Sequence, residues 1–427
     1  MHNARLRINL KKLLLVLVTI SFFILYLKCD KEPPIKPSGT GSVYGIVIDA
    51  QTDFPVTNAV VLASKNQVAD TTDSLGTFAL TELSIGQETL LITSEGYEDN
   101  IKVIEIKSDS VWIEIAINRI AENLYLYVGT AGGNDLFVVD VDSMQKVDSI
   151  YFAPGHIQDL SVTPGGTKLY ITQGWPDSTV YYLNTKDRTY HLTTLPKGSI
   201  YFNENNDGFL FSDEGIFRLD TLSDQYEKID TLTIKDFIKF KNSSSTFYFA
   251  NYESKLYRYD YEQRKILDSI ELPSAVIKEM TPDNCELYFT TPNGILGVIN
   301  IQSRIVEYIT YVNRLGRIAV TPDGEYVIVT DPGSNLGPSP GSGLLTVVRT
   351  SDHSLFGYID VKIVSGDNPS TSKIVITSSG SYAFASNSYG GDLFIIDLKQ
   401  RIAIKRLEFR PLGATIGPLV LGLKPKL

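Results

Sequence analysis

Cysteine is nearly missing from this chain: only Cys29 and Cys285 occur, so an acylated Cys29 would leave no intramolecular disulfide and stability would have to come from packing. Histidine is equally sparse. His2 falls in the leader, His191 on an expected outer strand and His353 in a turn on the opposite face, which leaves His156 near the candidate binding face. Metal sites and histidine-driven catalysis need several converging ligands, so no metal and no cofactor are expected from this set. A P-loop, a dinucleotide fingerprint and a Cys pair are all lacking, and Trp175 is the only tryptophan after residue 120. Basic surplus is lacking too: 39 basic residues face 49 acidic ones, a net charge of -10. Five of the basic residues, Arg5, Arg7, Lys11, Lys12 and Lys28, precede Cys29, and the remainder is more acidic still. Such a surface repels phosphate backbones, which excludes nucleic acid as an expected partner.

What is present is a repeat. Short apolar strands ending in an acid or amide recur about every forty residues: Leu136 to Asp140, Val180 to Asn184, Ile216 to Asp220, Leu256 to Asp260, Leu296 to Asn300 and Leu393 to Asp397. A further copy, Leu344 to Arg349, replaces the acid with Arg. A single four-stranded sheet cannot bury both faces and needs neighbours, so this period predicts a β-propeller. Seven such strands predict seven blades. The repeat enters on Leu124 to Val128, which has no inner strand before it, and ends on Gly417 to Leu421, an inner strand with nothing after it. Their pairing is expected to close the ring and remove exposed sheet edges.

The turns repeat as well, in Thr163-Pro164-Gly165-Gly166, Thr281-Pro282-Asp283-Asn284, Thr321-Pro322-Asp323-Gly324 and Thr377-Ser378-Ser379-Gly380. Pro early and Gly or Asn late make a tight reversal. Together with the Leu-Tyr-Val and Val-Val-Asp strands, this set resembles the YVTN or surface-layer type of seven-bladed propeller over about residues 122 to 423. Blades three and four depart from it, with Asn205-Asn206-Asp207-Gly208 and Lys241-Asn242-Ser243-Ser244 in place of the Thr-Pro turn. The resemblance implies structural roles: the aromatic fills the space between blades and the Asp caps the turn after the third strand.

Ahead of the repeat, a basic stretch ending in Lys11-Lys12 precedes one apolar run, Leu13 to Leu27. Fifteen helical residues reach roughly 22 Å, short of the ~30 Å bilayer core, so the run reads as a secretion signal. Cys29 follows it, and the chain there resembles the end of a bacterial lipoprotein signal, although Tyr26, Leu27 and Lys28 replace the usual Leu and small residues. The alternatives are a lipid on Cys29 and an uncleaved signal anchor; both tether the chain to a membrane. The following Asp30-Lys31-Glu32 resembles tags that send lipoproteins to the outer membrane. Residues 29–42 are a Pro, Gly and Ser-rich linker.

From Val43 the strands are short and regular, which predicts a β-sandwich. The set Gly45-x-Val47-x-Asp49, Pro55-Val56-x-x-Ala59-x-Val61, Thr72-Asp73-x-x-Gly76-x-Phe78 and Gly96-Tyr97 resembles the carboxypeptidase-regulatory-like domain, a spacer module without catalytic residues. Asp49, Asp73 and Glu95 admit a calcium site, but aspartates that bond their own turn backbone are the simpler reading.

The expected fold is therefore all-β: signal sequence 1–28, linker 29–42, sandwich 43–118 and a closed seven-bladed propeller 122–427. The expected function is non-catalytic binding or adhesion in the cell envelope by a tethered monomer, capturing a nutrient, glycan or protein on the propeller face. The alternative is a lactonase-like hydrolase or lyase at the channel mouth, because fold alone excludes no chemistry. Candidate ligand-binding residues on that face are His156, Trp175, Tyr252, Arg314, Asp331, Asn335, Asp367, Tyr389 and Arg410. The two longest loops of blade six, Asp331 to Ser342 and Lys362 to Thr371, are expected to rise there.

Overall fold

The computed structural model describes residues 39–425, apart from 51–52, 132, 153–155, 175–178, 204–206, 224, 235–237, 241–244, 251–254, 273–276, 313–315, 333–341, 364–369, 388–390 and 410–414. These residues are all-β, without a helix, and the chain divides into two compact units, Met1–Arg119 and Ile120–Leu427.

The first unit holds β1 (Thr40–Asp49), β2 (Val60–Ala63), β3 (Val68–Thr71), β4 (Thr77–Ser84), β5 (Gly86–Thr93), β6 (Asn100–Ile106) and β7 (Ser110–Ile117). They form a sandwich of two sheets, β4-β1-β7 and β3-β2-β5-β6, with β1 parallel to β7 and antiparallel to β4. Alternation along β1 sends Val43 and Val47 into the core with Val61, Leu80, Leu90, Ile92 and Ile115. Gly45 is required by close approach, since a Cβ there would lie 2.4 Å from the carbonyl oxygen of Ile113 and 2.8 Å from the Phe78 ring. Asp49, fully buried, is met by the Arg119 guanidinium and by the Tyr97 hydroxyl at 2.9 Å, while Arg119 stacks 5.4 Å over the Tyr97 ring. Asp73 accepts the Thr77 and Leu75 N–H groups at 2.9 Å each, and these bonds, Thr77 foremost, hold its carboxyl below the usual range.

The second unit contains seven four-stranded antiparallel sheets among its described residues. Six are built from consecutive strands. The first combines Leu124–Ala131, Asp135–Asp140 and Gln145–Tyr151 with the terminal strand Thr415–Leu423, which pairs with Leu124–Ala131 from Leu423↔Leu124 to Thr415↔Ala131.

Local hydrogen bonds explain the repeat. The residue ending each third strand folds its side chain onto the backbone just beyond: Asp140 accepts from Ser143, Asn184 from Lys186, Asp220 from Leu222, Asp260 from Glu262, Asn300 from Gln302 and Asp397 from Gln400. In the sixth sheet, Arg349 ends that strand and Asp352 caps the turn instead, accepting the Ser354 N–H at 3.1 Å. The threonine of the first turn is buried, and its oxygen accepts an N–H from the second strand: Lys168 to Thr163, Glu286 to Thr281, Tyr326 to Thr321 and Tyr382 to Thr377. Gly166, Asn284, Gly324 and Gly380 follow at φ of 69°, 59°, 76° and 76°, which is why that place takes Gly or Asn. In the third sheet Asn203 replaces the threonine, its side-chain oxygen accepting the Asp207 N–H at 2.8 Å.

Apolar clusters fill the space between successive sheets. Tyr127 and Val138 meet Leu160 and Ile171; Tyr170 and Val180 meet Leu210 and Phe217; Phe209 and Phe211 meet Phe247 and Phe249. Tyr248 and Leu256 meet Leu287 and Phe289, Tyr288 and Val298 meet Val327 and Val329, and Ile328 and Leu345 meet Phe394 and Ile396. Phe384 and Leu393 of the seventh sheet pack on Leu126 and Val139 of the first.

A second repeat was hidden in the sequence. The fourth residue after the third-strand cap position is left-handed without being glycine: Met144, Arg188, Arg264, Arg304, His353 and Arg401, with φ between 52° and 63°. Several of these reach the preceding sheet. Arg188 stacks 5.0 Å over Tyr125, Arg401 4.1 Å over Phe356, and Met144 joins the cluster shared with the seventh sheet. His353 sits between two carboxylates of the fifth sheet, Nδ1 at 2.7 Å from Glu307 and Nε2 at 3.0 Å from Glu286, with Tyr288 edge-on. Partial burial lowers its pKa, but the bonds to Glu307 and Glu286 outweigh that and raise it above 6.5. A raised value in the folded state means that the clasp contributes fully below the unfolded value and is lost as pH rises through the folded one. His353→Gln should therefore cost more melting temperature at about pH 5.5 than at about pH 9. Thermal denaturation across that range checks this, and an equal cost at both ends would contradict it.

Candidate functional site

First strands of neighbouring sheets run beside one another: Thr415–Leu423 beside Ile157–Val162, Ile157–Val162 beside Gly198–Phe202, and Ile318–Val320 between Ile277–Met280 and Thr371–Ile376, the last of these next to Thr415–Leu423. Each is short and mostly apolar, so a charged residue within one is conspicuous once the strands are placed. Asp159, Ser199 and Lys373 lie on three of these strands, and Arg317 immediately precedes a fourth.

These side chains feel one another. Burial pushes the Asp159 carboxyl up, while the Ser199 hydroxyl, the Leu160 N–H at 3.0 Å and the Lys373 charge oppose it. Burial pulls the Lys373 amine down to about 8, repulsion from Arg317 adds to this, and Asp159 opposes it. Lys373 is thus an amine with a large neutral fraction near pH 8. Further round, Lys239 and Glu279 bridge two neighbouring first strands at 3.5 Å.

Asp159 and Ser199 also line a cavity of about 510 Å³ between the second and third sheets. Its floor is Thr172, Phe211, Ser212 and Ile234, all buried, and its rim is Gln158, Lys197, Asp213 and Glu214, all exposed. That volume lies within the ~300 to 1,000 Å³ of small-molecule sites.

Of the residues expected from the sequence, His156 and Asp331 can be placed. His156 immediately precedes Ile157–Val162, its carbonyl accepts the Gly174 N–H at 2.9 Å, and a Cβ at Gly174 would lie 3.1 Å from its ring. It is therefore close to Gln158, whose side chain comes 3.5 Å from the same Cβ position. Asp331 accepts the Ser342 N–H at 2.8 Å and hydroxyl at 2.6 Å, and its backbone pairs with Thr371. Its carboxylate is spent on joining the two ends of the 333–341 segment, a structural use. Cys29, Trp175, Tyr252, Arg314, Asn335, Asp367, Tyr389 and Arg410 lie outside the described residues. Among the described residues no group of three His, Cys, Asp or Glu is arranged to hold a metal ion.

Sequence reasoning looked for rare residues on loops and so passed over Asp159, Lys373 and Arg317. The signal was a charge inside an apolar first strand, as in Ile157-Gln158-Asp159-Leu160 and Ser372-Lys373-Ile374-Val375.

The fold defines an all-β protein with an N-terminal sandwich followed by a long series of small antiparallel sheets. The model of the CarboxypepD_reg-like domain matches residues 43–124, so the sandwich is a domain of that kind. No curated protein matches the chain. Among solved structures, a functionally unknown protein from Desulfotomaculum acetoxidans is 12% identical, with a TM-score of 0.51 over 70% of this chain and 98% of its own. The dihydro-heme d1 dehydrogenase NirN is 12% identical over 70% of this chain and 75% of its own, with a TM-score of 0.49. Kuenenia stuttgartiensis hydrazine synthase is 16% identical over 58% of this chain and 81% of its own, with a TM-score of 0.45. At such identities the first likeness concerns the fold alone.

Proposed function

We propose that the second unit is a closed seven-bladed β-propeller of the YVTN or surface-layer type, carried by a membrane-tethered, non-catalytic binding protein of the cell envelope. Support for the ring comes from the first sheet, built from both ends of the unit, and from the cluster joining the seventh sheet to the first. The tether is the leader with Cys29, acylated or retained as an anchor, and an outer-membrane lipoprotein is the form that its acidic Asp30-Lys31-Glu32 sequence favours. The captured ligand is a nutrient, a glycan or a protein segment, taken up by a monomer.

The observation that carries the binding reading is the cavity between the second and third sheets, with buried hydroxyls at its floor and charge at its rim. Pockets with a few convergent polar groups and a titratable residue out of its ordinary range are the usual seats of ligands. A thermal-shift screen of the full chain in detergent against glycans, corrinoids, lactones and esters should yield a ligand whose binding is lost in Ser199→Trp, which fills the cavity, and in Gln158→Trp at its rim. Binding unchanged in both variants would reject this site. The alternative of a hydrolase or lyase draws on one observation, the Lys373 amine near 8. Turnover of a lactone or ester that disappears in Lys373→Met would decide for it.

A further inference from the structure

One position of the mostly apolar first strands gathers charge. Asp159, Ser199, Arg317 and Lys373 each stand four residues before the turn residue whose side chain accepts a backbone N–H, namely Thr163, Asn203, Thr321 and Thr377. The repeat therefore sets them at one level. The two cations are also held alike: the Arg317 N–H donates to Thr330 Oγ1 at 2.8 Å and the Lys373 N–H to Ser386 Oγ at 3.1 Å, each acceptor being a buried hydroxyl. Ile318–Val320, which Arg317 precedes, runs beside Thr371–Ile376, and the Arg317 charge repels the Lys373 ammonium. Asp159 attracts that ammonium from the second sheet, but its carboxylate is taken up by the Leu160 N–H at 3.0 Å and the Ser199 hydroxyl. Lys373 is partly buried, and no carboxylate among the described residues forms an ion pair with its amine. Like charges fixed near one another in partial burial cost free energy, which an anion beside them would offset.

We propose that Lys373, with Arg317 beside it, receives the carboxylate of a small organic acid at this level of the first strands. Neither residue lines the cavity between the second and third sheets, so the site is separate from it. A single negative charge suits the place better than a dianionic phosphate, because an ionised Asp159 acts on the same amine and repels a second charge. Burial and then Arg317 pull Lys373 down to about 8, and a bound anion pushes it back up. Arg317 and Asp159 are the charged groups that face it. Thr415–Leu423 and Ile318–Val320 carry no titratable side chain, and Tyr382–Asn387 carries only Tyr382, next to the Ile376↔Ala383 pair at the far end from Lys373.

The test follows reductive methylation of each lysine by formaldehyde and a neutral amine–borane, read by peptide mass spectrometry in the full chain in detergent. Only the neutral amine reacts, so the profile of Lys373 between about pH 6 and about pH 10 reports its titration, with the exposed Lys107 as reference. Propionate should move that profile upward by about one pH unit and slow labelling of Lys373 near pH 8 by about fivefold. Propionamide, and sodium chloride at equal ionic strength, should leave it in place. Lys373→Arg should keep a propionate-induced rise in melting temperature that Lys373→Met loses; if either variant misfolds, the labelling of the natural chain decides. A Lys373 profile that propionate leaves unmoved would overturn the proposal, as would an equal shift with chloride or propionamide. A shift with inorganic phosphate and none with propionate would overturn it too, because the site would then select phosphate.

Discussion

Deleting residues 417–427 should leave the second unit aggregating, or melting far below the intact chain. The deletion removes most of the strand that pairs with Leu124–Ala131, from Leu419↔Val128 to Leu423↔Leu124. Leu126 and Val128 are fully buried and Leu124 nearly so, packed with Phe384 and Leu393 of the seventh sheet. Fully burying such side chains is worth ~1.5 to 3 kcal/mol each, and losing several consumes much of a typical stability of ~5 to 15 kcal/mol. The exposed backbone edge adds a template for association between chains. Scanning calorimetry and light scattering of the truncated and intact proteins read the two effects. Unchanged melting would mean that the terminal strand does not complete the first sheet, and the ring proposal would fall with it.

Arg119→Ala should cost the first unit much of its stability. Arg119 is almost buried against the fully buried Asp49, whose carboxylate also accepts the Tyr97 hydroxyl. Removing the cation strands a carboxylate in the sandwich, a change that costs ~3 to 5 kcal/mol where one partner of a buried pair is deleted. Replacing both partners, Arg119→Met with Asp49→Leu, should recover most of the loss, because the cost lies in the unpaired charge rather than in the absence of the pair. Denaturant unfolding followed at Trp112, the one tryptophan of this unit, in a Trp175→Phe background separates its transition from that of the second unit. A loss below about 1 kcal/mol would show that water reaches Asp49 in the variant.

Much of the architecture was legible because it is written in short-range hydrogen bonds. An Asp that folds onto the turn after a third strand, or a Thr that accepts from the second strand, works within five residues, so each repeat carries its own signature. The six left-handed residues from Met144 to Arg401 obey an equally strict spacing, yet their side chains share no chemistry because each answers to a different neighbour: an aromatic ring for Arg188, two carboxylates for His353, an apolar cluster for Met144. The cavity was illegible for a similar reason. Asp159 and Lys373 belong to the second and seventh sheets, and the burial that shifts both groups, which their mutual attraction opposes, arises only once distant strands are placed side by side. Rarity pointed instead to Trp175 and His156, and rarity says nothing about which ordinary residues converge. In the sandwich, Asp73 is taken up by its own turn, as an aspartate beside a glycine at positive φ commonly is.

The first sheet also sets a clock. Ribosomes deliver a chain at about 5 to 20 residues per second, so the roughly 260 residues between Tyr151 and Thr415 separate its third-made strand from its fourth by a wait on the order of tens of seconds. Sheets two to seven can zip up as they emerge, each from one continuous stretch. Leu124–Ala131 cannot, and its open edge persists throughout. The hazard of misassembly therefore spans the whole passage from Tyr151 to Thr415, and a pause within any of the intervening repeats lengthens it equally.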